Sequence, residues 1–389
     1  MSDGGQPGSA PKTAGVVIVG GGIIGLSIAY HLGLAGVRPV VLERGRIGEG
    51  SSARSSGGIR RTFSTEPAIR LSLESVRFWE RVEDELGRGV DWRRVGYLLI
   101  ARSAVQRALL DASWALQQRL GVPSSLLSGG EVGRLVPAMR TDDVLAGVYC
   151  STDGYADTDE ALQAFRAGAL RRGATIVEDC EVTGLCVRGD HVQGVEMRAG
   201  TLDAPVVVNA AGVWAPQLAR SAGVKIPTVM YRRHQWITQM PGDPVPVPCT
   251  VDMDSTLFVR PAARGYLLGI GGERPTTAFD LTVDPDAFGP VAALAMERFP
   301  AFRSAALVQA YAGLTQETPD RHPVLGPAGP SGFVLAAGFS HGFMHAPAAG
   351  RIIAEHITMG RTGTIPIEPF LLSRFAGRET VAATECEAR

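Results

Sequence analysis

The residues with the clearest chemical purpose lie near the start of the chain. Gly20-Gly21-Gly22-Ile23-Ile24-Gly25 spells G-x-G-x-x-G, and Glu43 follows about twenty residues after the second glycine of the motif. Gly20 permits a tight turn, Gly22 lets a pyrophosphate approach the backbone, and Gly25 lets a helix sit close to its strand. The first amides of that helix then face phosphate, while the acid accepts from ribose hydroxyls. This chemistry is dinucleotide binding. Just beyond the acid come Arg44 and a run of mostly glycine and serine, GEGSSARSSGG over residues 48–58. In that run Ser51, Ser52, Arg54, Ser55, Ser56, Gly57 and Gly58 offer backbone and hydroxyl donors to a second phosphate and close approach to a ligand. Ala210-Ala211-Gly212 with Trp214, and Gly338 through His341-Gly342-Phe343-Met344, are two further small-residue edges on which a ligand can lie.

These residues need particular elements to hold them. Val16–Val19 and Val40–Leu42 are continuous apolar runs of the kind that form parallel strands buried on both faces. Leu26–Ala35 reads as the helix between them, with Gly36 as its C-cap. The whole stretch Ala14–Val37 lacks Asp, Glu, Lys and Arg, but its many glycines argue against a membrane helix. The spacing of Ile69, Leu73, Val76, Trp79 and Val82 predicts one amphipathic helix over 66–86 whose stripe is core. A strand at 96–101 and a helix at 103–120 follow. Asp157 and Glu160 predict a capped helix to about Arg172, then strands near 174–177, 181–187 and 192–197, and a buried run Val206–Val208. Phe333–Ala336 is a last buried strand, leading to a helix from Pro347, placed at its first position, to Met359.

Strands from three distant segments thus feed glycine-rich edges, which predicts one discontinuous nucleotide domain from 14–95, 150–222 and 322–375. Residues 96–149 and 223–321 carry hairpin-like strands (235–239, 257–260, 266–270) around the Pro-rich loop 241–248. They read as a second domain built on an antiparallel sheet. Residues 1–13 read as a disordered tail and 376–389 as a polar C-terminal tail. The fold class is α/β together with α+β.

Composition narrows the function. The chain has 389 residues, is 45% hydrophobic and carries a net charge of −1, so no basic field exists for nucleic acid or an anionic membrane. Of its 38 lysines and arginines, only Lys12 and Lys225 are lysines. Schiff-base and P-loop chemistry are therefore poorly served. Five cysteines without C-x-x-C spacing suggest a reduced, cytoplasmic protein, and the seven histidines form no zinc motif. No metal site is expected.

The nucleotide unit alone does not choose between FAD and NAD, since both present an ADP half. The Gly/Ser loop, standing where another helix and strand would continue, favours FAD. At this point the sequence resembles the D-amino-acid-oxidase-like flavoenzymes, with sarcosine oxidase β subunits and the oxidase domain of dimethylglycine dehydrogenase as the nearest branch. VVIVGGGIIGLSIAYHL with Glu43, GSSARSSGGIR, VVNAAGVWAPQL and TPDRHPVLGP…GFVLAAGFSHGFMHAPAAGRIIAEHI carry the likeness. The resemblance implies bound FAD on a glutathione-reductase-like Rossmann domain, with Val182 and Gly313 added to the cofactor-facing residues. It implies hydride removal from the carbon beside an amine nitrogen, giving an imine that hydrolyses.

By position, Arg60 matches the arginine that grips a substrate carboxylate in relatives, with Arg61 the near alternative. His234 resembles an active-site histidine, and His341 and His345 lie in the flavin-edge loop. Gly313 and Arg54 stand where relatives carry a flavin-tethering cysteine and histidine, so non-covalent FAD is expected. Leu267 or Leu268 replaces a lysine associated with oxygen activation, and Met344 replaces a carboxylate-binding lysine. The expected substrate is a secondary amino acid such as an N-methylated glycine or a cyclic imino acid, with O2 or another acceptor. Primary-amine oxidation of glycine or a D-amino acid, a flavin-bearing assembly subunit without turnover, and an NAD dehydrogenase remain as alternatives. A folate-coupling module is not expected in a chain of this length. Whether the chain works alone or in a homo- or hetero-oligomer is left open.

Overall fold

A computed structural model of the protein describes residues 10–271 and 274–376. Of the expected tails, the described residues include only residue 376 and residues 10–13. These four are not loose. The Asp203 amide donates to Lys12 O, the Ala14 amide donates to Asp203 O, both at 2.9 Å, and Ala10 packs on the core.

The central layer is a six-stranded sheet in the order Val324–Pro327, Phe333–Ala337, Val206–Asn209, Val16–Val19, Val40–Leu42, Thr175–Val177. All neighbours are parallel except Val324–Pro327, which runs antiparallel at the edge. The central strand Val16–Val19 is buried along its whole length, as its unbroken apolar run requires. Alternation splits its side chains between two cores. Val16 and Ile18 pack under the helices Ile23–Leu34, Glu66–Trp79, Thr158–Arg171 and Gly342–Met359, while Val17 and Val19 meet a three-stranded sheet, Val182–Arg188, His191–Met197 and Gly200–Asp203.

The second layer is an eight-stranded sheet. Its order is Ala306–Glu317, Val229–Gln239, Gly265–Ile270, Leu257–Ala262, Cys249–Asp252, Tyr97–Ala101, Ala146–Cys150, Ser125–Ser128. It is antiparallel, as expected, at every pairing but one: Cys249–Asp252 lies parallel to Tyr97–Ala101. The helix Phe288–Arg298 covers part of one face with Trp236, Val259 and Leu268.

Two helices depart from the sequence reading. The predicted helix over 66–86 is broken into Glu66–Trp79 and Val82–Leu86 by a tight turn at Glu80 and Arg81, where the Arg81 amide reaches back to Phe78 O at 2.9 Å. The break still leaves Ile69, Val76, Trp79 and Val82 buried. The last long helix starts at Gly342, so Pro347 lies inside it instead of at its first position. Among the described residues no helix is long and apolar enough to cross a membrane, and no cluster of three metal-binding side chains occurs. Cys150, Cys180, Cys186 and Cys249 are all free thiols.

Candidate functional site

The turn after Val16–Val19 is built as the motif demands. Gly20 has φ +107°, and a Cβ on Gly25 would lie 1.9 Å from Gly20 O, so neither position tolerates a side chain without shifting backbone. The helix Ile23–Leu34 begins with Gly22 as an N-cap that offers no side-chain acceptor. Ser52, from the Gly/Ser loop, supplies one instead, accepting from the Ile23 amide at 3.0 Å. Glu43 braces the same turn, because Oε2 accepts from the Gly21 amide at 2.8 Å and Oε1 from the Gly45 amide at 3.1 Å.

A cavity of about 710 Å3 opens from this turn and runs between the six-stranded sheet's helix-bearing edge and the eight-stranded sheet. Its size is that of a large small-molecule site. Of the residues expected to face a cofactor, Gly20, Gly22, Ile23, Ile24, Glu43 and Arg44 line one end. Ser51, Ser52, Arg54, Ser55, Ser56 and Gly58 form a flank. Val182, Ala210, Ala211, Gly212 and Trp214 line the side beneath Arg44, whose guanidinium sits 4.2 Å over the Trp214 ring. Gly313, Gly338, His341, Gly342, Phe343 and Met344 complete it. Gly25 and Gly57 do not line the cavity. Gly25 is packed on Gly20, and Gly57, at φ +72°, turns the chain against Ala156 O.

The helix beginning at Gly342 is the second one to point its N-terminus at the cavity, with His341 as an N-cap that makes no side-chain capping bond to the helix. The amides of Gly342–Met344 belong to its first turn, five residues earlier than the Pro347 start would have placed it. Each such helix end carries about half a positive charge. Two of them and an acid at one end suit an elongated anionic ligand with a ribose. The fit to FAD is thus physical: Glu43 for a ribose, the Ile23 helix for the pyrophosphate, and the Gly342 helix for the far end.

The catalytic expectations fare differently. Arg60 does not line the cavity. It is 2% exposed, with its guanidinium 4.0 Å over Phe63 and 5.6 Å over Tyr97, and Nη1 donates to Thr62 O. Arg61 is also committed elsewhere, to Asp153 at 3.3 Å and Glu80 at 3.1 Å. Burial pushes the Asp153 carboxyl up to about 6 in spite of the Arg61 charge beside it. His234 points away from the cavity because it alternates with Arg233 and Gln235, which do line it. Its Nε2 accepts from the Asp284 amide at 3.2 Å and its ring stacks on Trp236. His345 lies a turn into its helix, with Nε2 at 2.8 Å from Ser72 Oγ, and is buried against the helix Glu66–Trp79. Only His341 of the three faces the cavity.

What the sequence did not name are the residues of the roof. Tyr97, Val251, Phe258 and Ile270 give the eight-stranded sheet an apolar cavity-facing surface, interrupted by Arg233 and Gln235. Arg233 and Arg321 both reach Glu317, at 2.9 and 3.4 Å. The alternation of Arg233 and Gln235 around His234 was a usable signal. Tyr97 and Phe258 look like ordinary core in the sequence. Leu267 and Leu268 are buried in the sheet and do not line the cavity. Gly313 and Arg54 are neighbours, since a Cβ on Gly313 would lie 2.9 Å from Arg54 Cβ. The cavity's one cysteine among the described residues, Cys180, sits at the Glu43 end, its amide donating to Glu43 O at 2.8 Å.

Comparison with known proteins agrees with this geometry. Residues 15–356 match the FAD dependent oxidoreductase family. The chain is 31% identical over 371 residues to mitochondrial sarcosine dehydrogenase of Mus musculus, covering 90% of this chain and 40% of that protein. It is 28% identical over 415 residues to mitochondrial dimethylglycine dehydrogenase of Mus musculus, covering 99% of this chain and 47% of that one. The chain thus spans less than half the length of these relatives. Among solved structures, L-proline dehydrogenase from P. horikoshii superposes with a TM-score of 0.88 at 32% identity, covering 94% of this chain and 98% of that chain.

Proposed function

The chain belongs to the FAD dependent oxidoreductase family, and from that premise we propose that it oxidises a secondary amino acid, an N-methylated glycine or a cyclic imino acid, at the carbon beside nitrogen. The observation that carries the reading is the continuity of the cavity. One space joins the dinucleotide cradle at Gly20–Gly25 to the roof of Tyr97, Phe258, Val251 and Gln235. FAD, when bound, supplies a hydride acceptor. The chain's own residues do the rest.

Glu43 and the helix starting at Ile23 hold the ADP half, and the first turn from Gly342 to Met344 directs amides and a helix dipole at the opposite end. Negative charge arriving there is stabilised without a side-chain acid. The apolar roof keeps water from the reacting carbon, while Gln235, Arg233 and His341 provide polar contacts that orient a small zwitterion. The assigned carboxylate contacts are Arg233 and Arg321 in place of Arg60. The substrate, having lost a hydride from carbon and a proton from nitrogen, leaves as an imine, which water hydrolyses to a carbonyl compound and an amine. Support for a secondary amine comes from two relatives, since sarcosine and proline are secondary amino acids, while dimethylglycine, a tertiary one, supports N-substitution alone.

The test is an anaerobic panel of amines added to the flavin-loaded protein, read by loss of the flavin's visible absorbance. Bleaching by sarcosine, proline or a close analogue is the expected result. Bleaching only by glycine or D-amino acids overturns the secondary-amine assignment. No bleaching by any amine favours a flavin-bearing subunit without turnover.

A further inference from the structure

Proline in a helix interior removes one ladder donor and crowds the carbonyl four residues back. Pro347 does this to Phe343, which lines the cavity in the first turn of the helix Gly342–Met359. The next ladder donor is shared with a neighbouring helix, for the Ala348 amide donates to Ser75 Oγ at 3.3 Å. The turn that faces the cavity is therefore joined to its own helix by a weakened ladder.

The neighbouring helix supplies what the ladder lacks. Trp79 is fully buried, its Nε1 donates to Met344 O at 3.0 Å, and its ring stacks on Phe343 with centroids 5.5 Å apart. Ser72 and Ser75, two turns and one turn earlier on the same face, meet His345 and Ala348. From the other side Ser27 Oγ donates to Ala346 O at 2.7 Å. Met344 O, the His345 ring, Ala346 O and the Ala348 amide, all flanking Pro347, thus each have a partner on a different helix.

We propose that Trp79 is a positioning residue for the flavin: through Met344 O and the Phe343 ring it sets the direction in which the Gly342–Met344 amides face the cofactor. It touches no substrate. Its effect falls on how strongly the helix end stabilises charge arriving on the flavin. The inference rests on the FAD reading but not on the identity of the amine.

The experiment measures the reduction midpoint of the bound flavin by dye-coupled titration in W79F, which keeps a ring on Phe343 and loses the N–H. Expected is about a tenfold fall in the reduced-to-oxidised ratio at the wild-type midpoint, about 30 mV for a two-electron couple. S75A is a milder second variant, with a shift in the same direction of about twofold. V76A, on the same helix, is the packing control and lowers Tm while leaving the midpoint in place. An unchanged midpoint in W79F, or in S75A should W79F fail to fold, overturns the proposal and leaves Trp79 a packing residue. Since no amine enters the titration, failure to find a substrate does not affect it.

Discussion

Glu43 serves the site twice, as a ligand-facing acid and as the acceptor that holds the Gly21 and Gly45 amides. Replacing it with alanine leaves both loop amides without that acceptor, at about 1–3 kcal/mol for the buried Gly21 amide and less for the partly exposed Gly45 amide. FAD affinity of E43A, followed by fluorescence quenching on titrating apoprotein, is expected to fall by 10- to 100-fold, while E43Q retains one acceptor and loses less. G25A is a second residue-scale case. Its new methyl would sit 1.9 Å from Gly20 O, a backbone atom that no rotamer change removes. Overpacking of this kind costs about 1–3 kcal/mol, so G25A is expected to lower both Tm and FAD affinity even though Gly25 never touches the cavity. Both residues were legible in the sequence, because the dinucleotide motif is a local contract between turn, helix and acid. The placement of Arg60 against Phe63 was not, since whether a side chain reaches a cavity or folds onto a ring depends on neighbours distant along the chain.

The roof strand Val229–Gln239 is the element on which substrate contacts turn. Strand periodicity sends Arg233 and Gln235 to the cavity and His234 to the opposite face with Trp236 and Asp284. With an amine identified by bleaching, R233A is expected to reduce kcat/KM by at least tenfold, chiefly through KM, and Q235L by a smaller factor. H234A is expected to leave KM within about twofold and to lower Tm, as for loss of one buried hydrogen bond. A KM effect in H234A exceeding that of R233A would reverse the facing argued here. At this scale most strands were visible as apolar runs. The start of the last helix was misplaced because proline at a first helical position is the usual arrangement. Here three side chains from other helices stabilise a start five residues earlier.

Across the whole molecule, two buried ionisable groups shape the pH response. Burial, reinforced by the Arg351 charge, lowers the pKa of His31 to about 4. Between pH 6.5 and 4 the unfolded chain binds a proton at His31 that the folded chain refuses, so stability falls as pH falls through this window. Asp153 acts in the opposite sense. Its raised value means that the folded state binds the extra proton below about 6, and its contribution is lost as pH rises. Urea unfolding of wild type and H31Q separates the two. The stability difference is expected to shift against wild type by about 2 kcal/mol between pH 7 and pH 5, and parallel pH profiles would remove His31 from the account. At the same scale, FAD held only by the folded cavity raises apparent stability, by about 4 kcal/mol at a thousandfold excess over Kd. Acid precipitation is expected to release the flavin into the supernatant, given Gly313 and Arg54 at the positions of the relatives' tethers. Flavin remaining with the pellet would point to a covalent link.

By itself the sequence determined the nucleotide half: the parallel strands, the glycine turn, the acid and the small-residue edges, since each is specified by neighbours within a few residues or by uninterrupted apolar runs. Only the tertiary structure decided the substrate half. The roof is assembled from strands contributed by 97–101 and 229–317, and one backbone direction per strand decides which of two adjacent side chains meets the ligand. That direction is set by sheet register and by what packs behind, a long-range choice that spacing along the chain does not contain.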